Sequence, residues 1–151
     1  MKYVKIIALV LLVAFVGIQF VPTERNQSET IPKTDFMVSE KVPNNIEILI
    51  KESCYDCHSN NTDYPWYNKI QPAAWFLEDH ITEGKKELNF NDWGNYSDRR
   101  KNSKLNSIIH QIEDEEMPLD SYVLIHRDAD LSNKERQDLV TYFKILKQKL
   151  E

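Results

Sequence analysis

The sequence predicts an all-α protein, a small helical domain that follows an N-terminal apolar helix. Three observations predict it. The chain is rich in Leu, Ile, Lys and Glu and has only 3 glycines and 6 prolines in 151 residues, which excludes collagen-like and low-complexity classes. Four stretches repeat apolar residues at helical spacing. No stretch alternates apolar and polar residues for long enough to make a strand, and there is no internal repeat.

The first element is the apolar run. Lys2 and Lys5 precede an unbroken apolar stretch from Ile6 to Ile18, which continues through Gln19, Phe20 and Val21 to Pro22. A positive segment before a hydrophobic one is the pattern of an export signal. Cleavage positions are poor, since Gly17 has Phe15 two places before it and Ala14 has Leu12. No cysteine follows the run, so a lipoprotein anchor is unsupported. The run of about 16 residues is short of the ~20 that a full span needs, although Lys5 can extend it by snorkelling. The expectation is an uncleaved signal anchor, a transmembrane segment over residues 1–21, with cleavage as the alternative. The lysines then stay inside and the remainder lies outside the cytoplasm.

Residues 22–43 are polar, punctuated by prolines and without period, and they read as a tether that packs locally through Phe36 and Met37. An ordered arm laid along the domain is the competing reading. Residues 44–151 form the folded module. Lys2 and Lys5 are the only charges before Pro22, so the net charge of −5 becomes −7 for everything after Val21. An acidic domain without a basic stripe argues against a nucleic-acid partner.

Within the module, "NNIEILIKESC" places Ile46, Leu49 and Ile50 on one face behind an Asn cap. "PAAWFLEDHITEG" has Pro72 in its first turn and an expected stop at Gly84. "SDRRKNSKLNSIIHQIEDEE" carries Leu105, Ile108, Ile109 and Ile112 at helical spacing. In the last helix Ser132 and Glu135 make a capping box, and Leu139, Tyr142, Phe143 and Leu146 make the apolar stripe.

The first of these helices ends in "SCYDCHSN", which holds the only two cysteines of the chain. On a helical turn Cys54, Cys57 and His58 stand at i, i+3 and i+4, so their side chains leave one face. That arrangement suits two thiols bonding the two vinyl groups of a haem edge while the imidazole reaches the iron, and C-x-x-C-H is the attachment signature of c-type haem. A thioredoxin-like dithiol would need a strand before it and a βαβ setting. Structural zinc would need two more ligands at matched spacing. A disulfide across one helical turn would constrain almost nothing.

The sixth position of such an iron is either filled or open. The candidates are Met117, in "EEMPLDSY", and His80, His110 and His126. Met117 stands in an acidic, turn-like stretch before Pro118 rather than on an apolar stripe, and it is the preferred distal ligand. The three histidines read as structural. A thioether ligand raises the reduction potential, which suits an electron carrier.

The runs "CYDCHSNNTDYPWYNKIQPAAWFLEDHITEGKKELNF" and "EEMPLDSYVLIHRDADLSNKERQDLVTYF" resemble the haem-binding domain family of bacterial cytochrome c-like proteins. The resemblance runs from about Asn44 to Lys147 and includes the preceding apolar segment. It rests on C-x-x-C-H, S-N-x-T-x-x-P-W-Y, L-N-F, M-P and the final L-S-x-x-E helix. It implies a cytochrome c-like helical fold with one covalently attached haem c, held at the periplasmic side of the bacterial cytoplasmic membrane. By motif it implies Cys54 and Cys57 as thioether sites, His58 as proximal iron ligand and Met117 as distal ligand.

Several neighbours are candidates for tuning that site. Tyr64, Trp66 and Tyr67 either pack on the porphyrin or belong to ordinary core. A carbonyl near Pro65 or Pro72 is the expected acceptor for the His58 Nδ1 proton. Trp93 and Tyr96 are equally structural or haem-contacting, and Arg99, Arg100 and Lys101 read as a solvated helix start or as partners for propionates. The expected function is electron transfer with unidentified redox partner proteins and no catalysis by the chain itself. The alternative is a haem-based sensor or peroxidase-like enzyme with an open sixth site.

Overall fold

The computed structural model describes residues 1–28 and 30–150, and the described residues fold as helices and turns. The one β feature among them is an isolated bridge between Gln27 and Asn61.

Helix α1 (Lys2–Ile18) carries apolar side chains on every face and buries none of them. Its 17 residues span about 26 Å at 1.5 Å per residue, against the ~30 Å hydrocarbon core of a bilayer. Among the described residues no helix is long and apolar enough to cross a membrane. The transmembrane segment expected over residues 1–21 is therefore corrected to a helix that falls short of a full span. Its C-terminal end is docked on the domain. Gln19 Nε2 donates to the Gln71 carbonyl at 3.1 Å, Gln71 N donates to Gln19 Oε1 at 2.9 Å, and Gln71 Nε2 donates to the Val21 carbonyl at 3.1 Å.

Residues 22–43 are expected as a tether, and the described ones, 22–28 and 30–43, run along the domain as an ordered arm. Asn26 Nδ2 donates to the Ser59 carbonyl and to Thr62 Oγ1. Asp35 caps the short helix α2 (Phe36–Ser39) by accepting from Met37 N at 2.9 Å. The reason for the order is Phe36. Its ring is fully buried, 5.0 Å from Trp93, 5.2 Å from Phe90 and 6.1 Å from Phe143 between centroids. The Asp35 carboxylate goes inside with it, and accepts from Tyr55 OH at 3.0 Å and Asn91 Nδ2 at 2.7 Å. A buried carboxylate persists where such donors replace its water.

Helix α3 (Asn44–Ile50) follows Pro43, which occupies the cap position without a side-chain bond, so the expected Asn cap is not used. Ile46 and Ile50 are buried and Leu49 packs on the same core. A π-helical turn over Lys51–Tyr55 widens the spiral before α4 (Asp56–His58). Helix α5 (Ala73–Glu87) starts after Pro72 and runs through Gly84, so the expected stop is replaced by an end at Leu88. Helix α6 (Asp98–Glu113) is capped by Ser97, whose side chain accepts from Arg100 N. After the one-turn helix α7 (Asp120–Val123), α8 (Asn133–Gln148) opens with the Ser132–Glu135 capping box formed in both directions. Helices α6 and α8 pack along each other, and Leu105, Ile109 and Ile112 share one core with Leu139, Phe143 and Leu146. This pairing backs the side of the module on which α4 and α5 come together.

Candidate functional site

Cys54 lies in the π-helical turn, Cys57 and His58 occupy α4, and all three line one cleft. The cleft has two lobes of about 300 and 340 Å³, which have Ser53, Cys54, His58, Glu87 and Met117 in common. The first lobe adds Cys57, the α5 face at His80 and Gly84, and Leu119 and Tyr122. The second adds Leu88, Phe90, Lys104, Ile108 and Ile112. Each lobe has the size of a small-molecule site and presents mostly apolar surface, although Asp56, Asp79, Glu83 and Glu87 also line the first.

The imidazole is oriented by backbone. His58 Nδ1 lies 2.9 Å from the Gly84 carbonyl oxygen and 3.1 Å from that of Leu88. Carbonyls only accept, so Nδ1 carries the proton and Nε2 keeps the lone pair that binds a metal. The expected acceptor near Pro65 or Pro72 is thus corrected to Gly84 and Leu88, because α5 continues past Gly84 and lies against α4. Burial holds the His58 pKa below its ordinary value, against the opposing pull of the two carbonyls, and so favours the neutral ring. The Phe90 ring meets it edge-on at 6.4 Å. Gly84 has a second role. A Cβ there would lie 2.9 Å from the Cys57 carbonyl oxygen and 3.2 Å from Cys57 Cβ, so only glycine lets α5 approach the motif this closely.

The two thiols are free and partly buried. Burial, with Cys57 nearby, pushes Cys54 up to about 12. Burial, with Asp56 nearby, pushes Cys57 up to about 11. Redox-active dithiols have depressed pKa values. The opposite shift here argues against a thioredoxin-like role.

Met117 is clamped through its backbone. Its N–H donates to the Gln111 carbonyl on α6 at 3.1 Å, and its carbonyl accepts from Arg136 Nη1 on α8 at 3.0 Å. Residues 113–116 beside it are exposed, whereas Met117 is partly buried and lines both lobes. Of the other candidates, His80 lines the first lobe, with Nδ1 bonded to the Phe76 carbonyl at 2.8 Å. His110 is exposed, 4.0 Å from Asp114. His126 stacks on Tyr122 at 4.1 Å and lines neither lobe.

Tyr64, Trp66 and Tyr67 do not line either lobe. Tyr64 OH accepts from Asn26 N at 2.7 Å and so holds the arm, Trp66 is exposed, and Tyr67 lies edge-on between Trp66 and His126. Trp93 and Tyr96 are buried core. Arg100 lies 4.1 Å over the Tyr96 ring, and Lys101 pairs with Glu40 at 3.8 Å. The basic residue that does line the cleft is Lys104, 3.8 Å from Glu87. Gly84, Leu88, Phe90, Lys104 and Tyr122 were missed as site residues. A glycine standing inside an otherwise helical pattern was the one available signal for Gly84.

The sequence model of the family described as haem-binding domain matches residues 13–145, most of the chain. The chain belongs to the haem-binding domain family. No curated protein and no solved structure matches it. The residues of the cleft fit the cofactor that this family implies. Two free thiols and a proton-fixed imidazole line a mostly apolar cleft, and Met117, held through its backbone, lines both lobes. Among the described residues no group of three or more His, Cys, Asp or Glu side chains is arranged to hold a bare metal ion.

The structure also explains two motifs of this haem-binding domain. In S-N-x-T, Ser59 Oγ donates to the Asn61 carbonyl, Asn60 N donates to Asn91 Oδ1, and Thr62 Oγ1 donates to the Asp56 carbonyl at 2.6 Å. In L-N-F, Leu88 gives its carbonyl to His58, Asn89 Nδ2 donates to Asn60 Oδ1 at 3.0 Å, and Phe90 packs on Tyr55 with centroids 5.2 Å apart. The two motifs bind each other and hold the C-terminal end of α4 in place.

Proposed function

We propose that the protein is a c-type cytochrome module that transfers electrons at the outer face of the cytoplasmic membrane. The observation that carries this reading is the convergence of Cys54, Cys57, His58 and Met117 on one cleft. Cys54 and Cys57 would hold the haem by adding their S–H groups across its two vinyl groups, and His58 Nε2 and Met117 sulfur would be the side-chain atoms that meet its iron. Bound haem supplies one-electron chemistry at its iron. The chain's part is to fix the ligand geometry and to keep the cleft apolar, and the backbone clamps on His58 and Met117 support that role. Lys104 is the side chain placed to meet a propionate.

The partner is a redox protein with a basic face. Asp56, Asp79, Glu83 and Glu87 line the first lobe, and residues 113–116 add exposed carboxylates beside Met117. Complementary charge of this kind orients encounters. The apolar, unburied α1 with Lys2 and Lys5 at its start supports attachment to the membrane with the haem module outside.

The test is the optical spectrum of the matured protein, oxidised and reduced, with and without carbon monoxide. The expected result is a six-coordinate spectrum in both states, no prompt binding of carbon monoxide, and a weak far-red sulfur-to-iron band that Met117→Ala abolishes while lowering the reduction potential. Prompt binding of carbon monoxide by wild type favours a haem-based sensor or peroxidase-like enzyme instead. Absence of the far-red band, with a spin-state change in a His80 variant, replaces Met117 by His80.

A further inference from the structure

We infer that the face of the module around Gln71 is an interfacial collar that rests in the headgroup region of an anionic lipid bilayer and completes the short apolar span of α1. The inference rests on the membrane attachment proposed above. It begins from a shortfall: α1 is about 4 Å shorter than the hydrocarbon core it would have to fill. The outer end of α1 does not lead into free chain. Two-way bonding between Gln19 and Gln71, and the bond from Gln71 to the Val21 carbonyl, fasten that end to the module. Gln71 itself is buried, so the residues on either side of it are held beside the end of α1.

Those residues are the wrong ones for water. Trp66 is 77% exposed, Phe76 is 63% exposed and Ile70 is 40% exposed, and Phe20, just past α1, is 82% exposed. Trp66, Phe76 and Phe20 are the only markedly exposed Trp and Phe side chains outside α1 among the described residues. The large aromatics elsewhere in the module, Trp93, Phe36, Phe90 and Phe143, are buried in the core. Exposed apolar side chains gathered about one point mark an interaction site; Ile31, Val38, Ile48, Leu124, Ile125 and Ile145 are exposed as well, but none of them is aromatic. Trp at the water–lipid boundary is the chemistry of an aromatic belt. Lys69, which ends the Trp66–Lys69 turn, is an exposed cation beside these side chains, and a cation there suits anionic headgroups. The collar and the docked helix together present a taller lipid-facing surface than α1 alone.

The experiment is photolabelling of the full, matured chain in vesicles of phosphatidylethanolamine and phosphatidylglycerol that contain a lipid with a diazirine near its glycerol end. Adducts are mapped by peptide mass spectrometry. The inference expects adducts both in α1 and at Trp66, Ile70 and Phe76, with the collar labelled several-fold more than buried Trp93. Adducts in α1 alone overturn the collar and leave the membrane attachment standing, with the patch then free for a protein partner. Adducts in neither place overturn the attachment and the collar together.

Discussion

Gly84 joins the two halves of the site at one residue. Its missing side chain admits the Cys57 backbone, and its carbonyl fixes the His58 proton. Gly84→Ala sets a methyl 2.9 Å from a carbonyl oxygen, and backbone cannot move aside as a flexible side chain would. Overpacking of this kind costs about 1–3 kcal/mol, so the variant is expected to melt at a lower temperature and to carry less haem per chain. An unchanged melting temperature and haem content would contradict the close approach of α4 and α5. The thiols give a pH prediction for the haem-free chain. Their folded pKa values, about 12 for Cys54 and about 11 for Cys57, lie above the ordinary 9.0. Folding therefore favours the protonated thiols, and that contribution is present below pH 9 and lost as pH rises toward 11 and 12. Denaturant melts across this range should fall less steeply for a Cys54→Ser, Cys57→Ser chain; equal slopes would show that the thiols are not buried. C-x-x-C-H was legible in sequence because its chemistry lies within one turn. The role of Gly84 was not, because nothing local says that its open side faces a cysteine in another helix.

The elements that were read well are those whose apolar residues repeat at helical spacing. Helices α6 and α8 appear with Ser97 and Ser132 as caps and with Leu105, Ile109, Leu139 and Phe143 buried. The end of α5 was misplaced because glycine serves packing there rather than termination. The arm was harder. Its composition is polar on average, and the two residues that decide its place, Asp35 and Phe36, are a small part of it. Their partners, Asn91, Tyr55, Phe90 and Trp93, lie far along the chain, so no local pattern announces them. Phe36→Ala is expected to destabilise the module by about 3–5 kcal/mol, measured by chemical denaturation. A cost close to that of an exposed substitution would return residues 22–43 to the status of a tether.

At the scale of the whole molecule, the all-helical class followed from periodicity, while the cleft did not. Its walls come from the motif turn, α5, the Phe90 region, α6 and the Met117 stretch, and their meeting is a property of packing. The aromatic residues nearest the motif in sequence, Tyr64, Trp66 and Tyr67, lie outside the cleft, whereas Phe90 and Ile108, much later in the chain, form its wall. Sequence proximity was a poor guide to which side chains line the cleft. The fold brings two free thiols, an oriented imidazole and the side chain of a methionine held through its backbone to one cleft. The claim built on that arrangement is covalent attachment of a single haem, and it is tested most directly by the intact mass of protein matured in a haem-ligating host and measured under denaturing conditions. The account predicts a mass raised by one haem, with both thiols closed to alkylation, and loss of the doubly attached form when Cys54 or Cys57 is replaced by Ala. A chain of unmodified mass whose two thiols both alkylate after unfolding would contradict it.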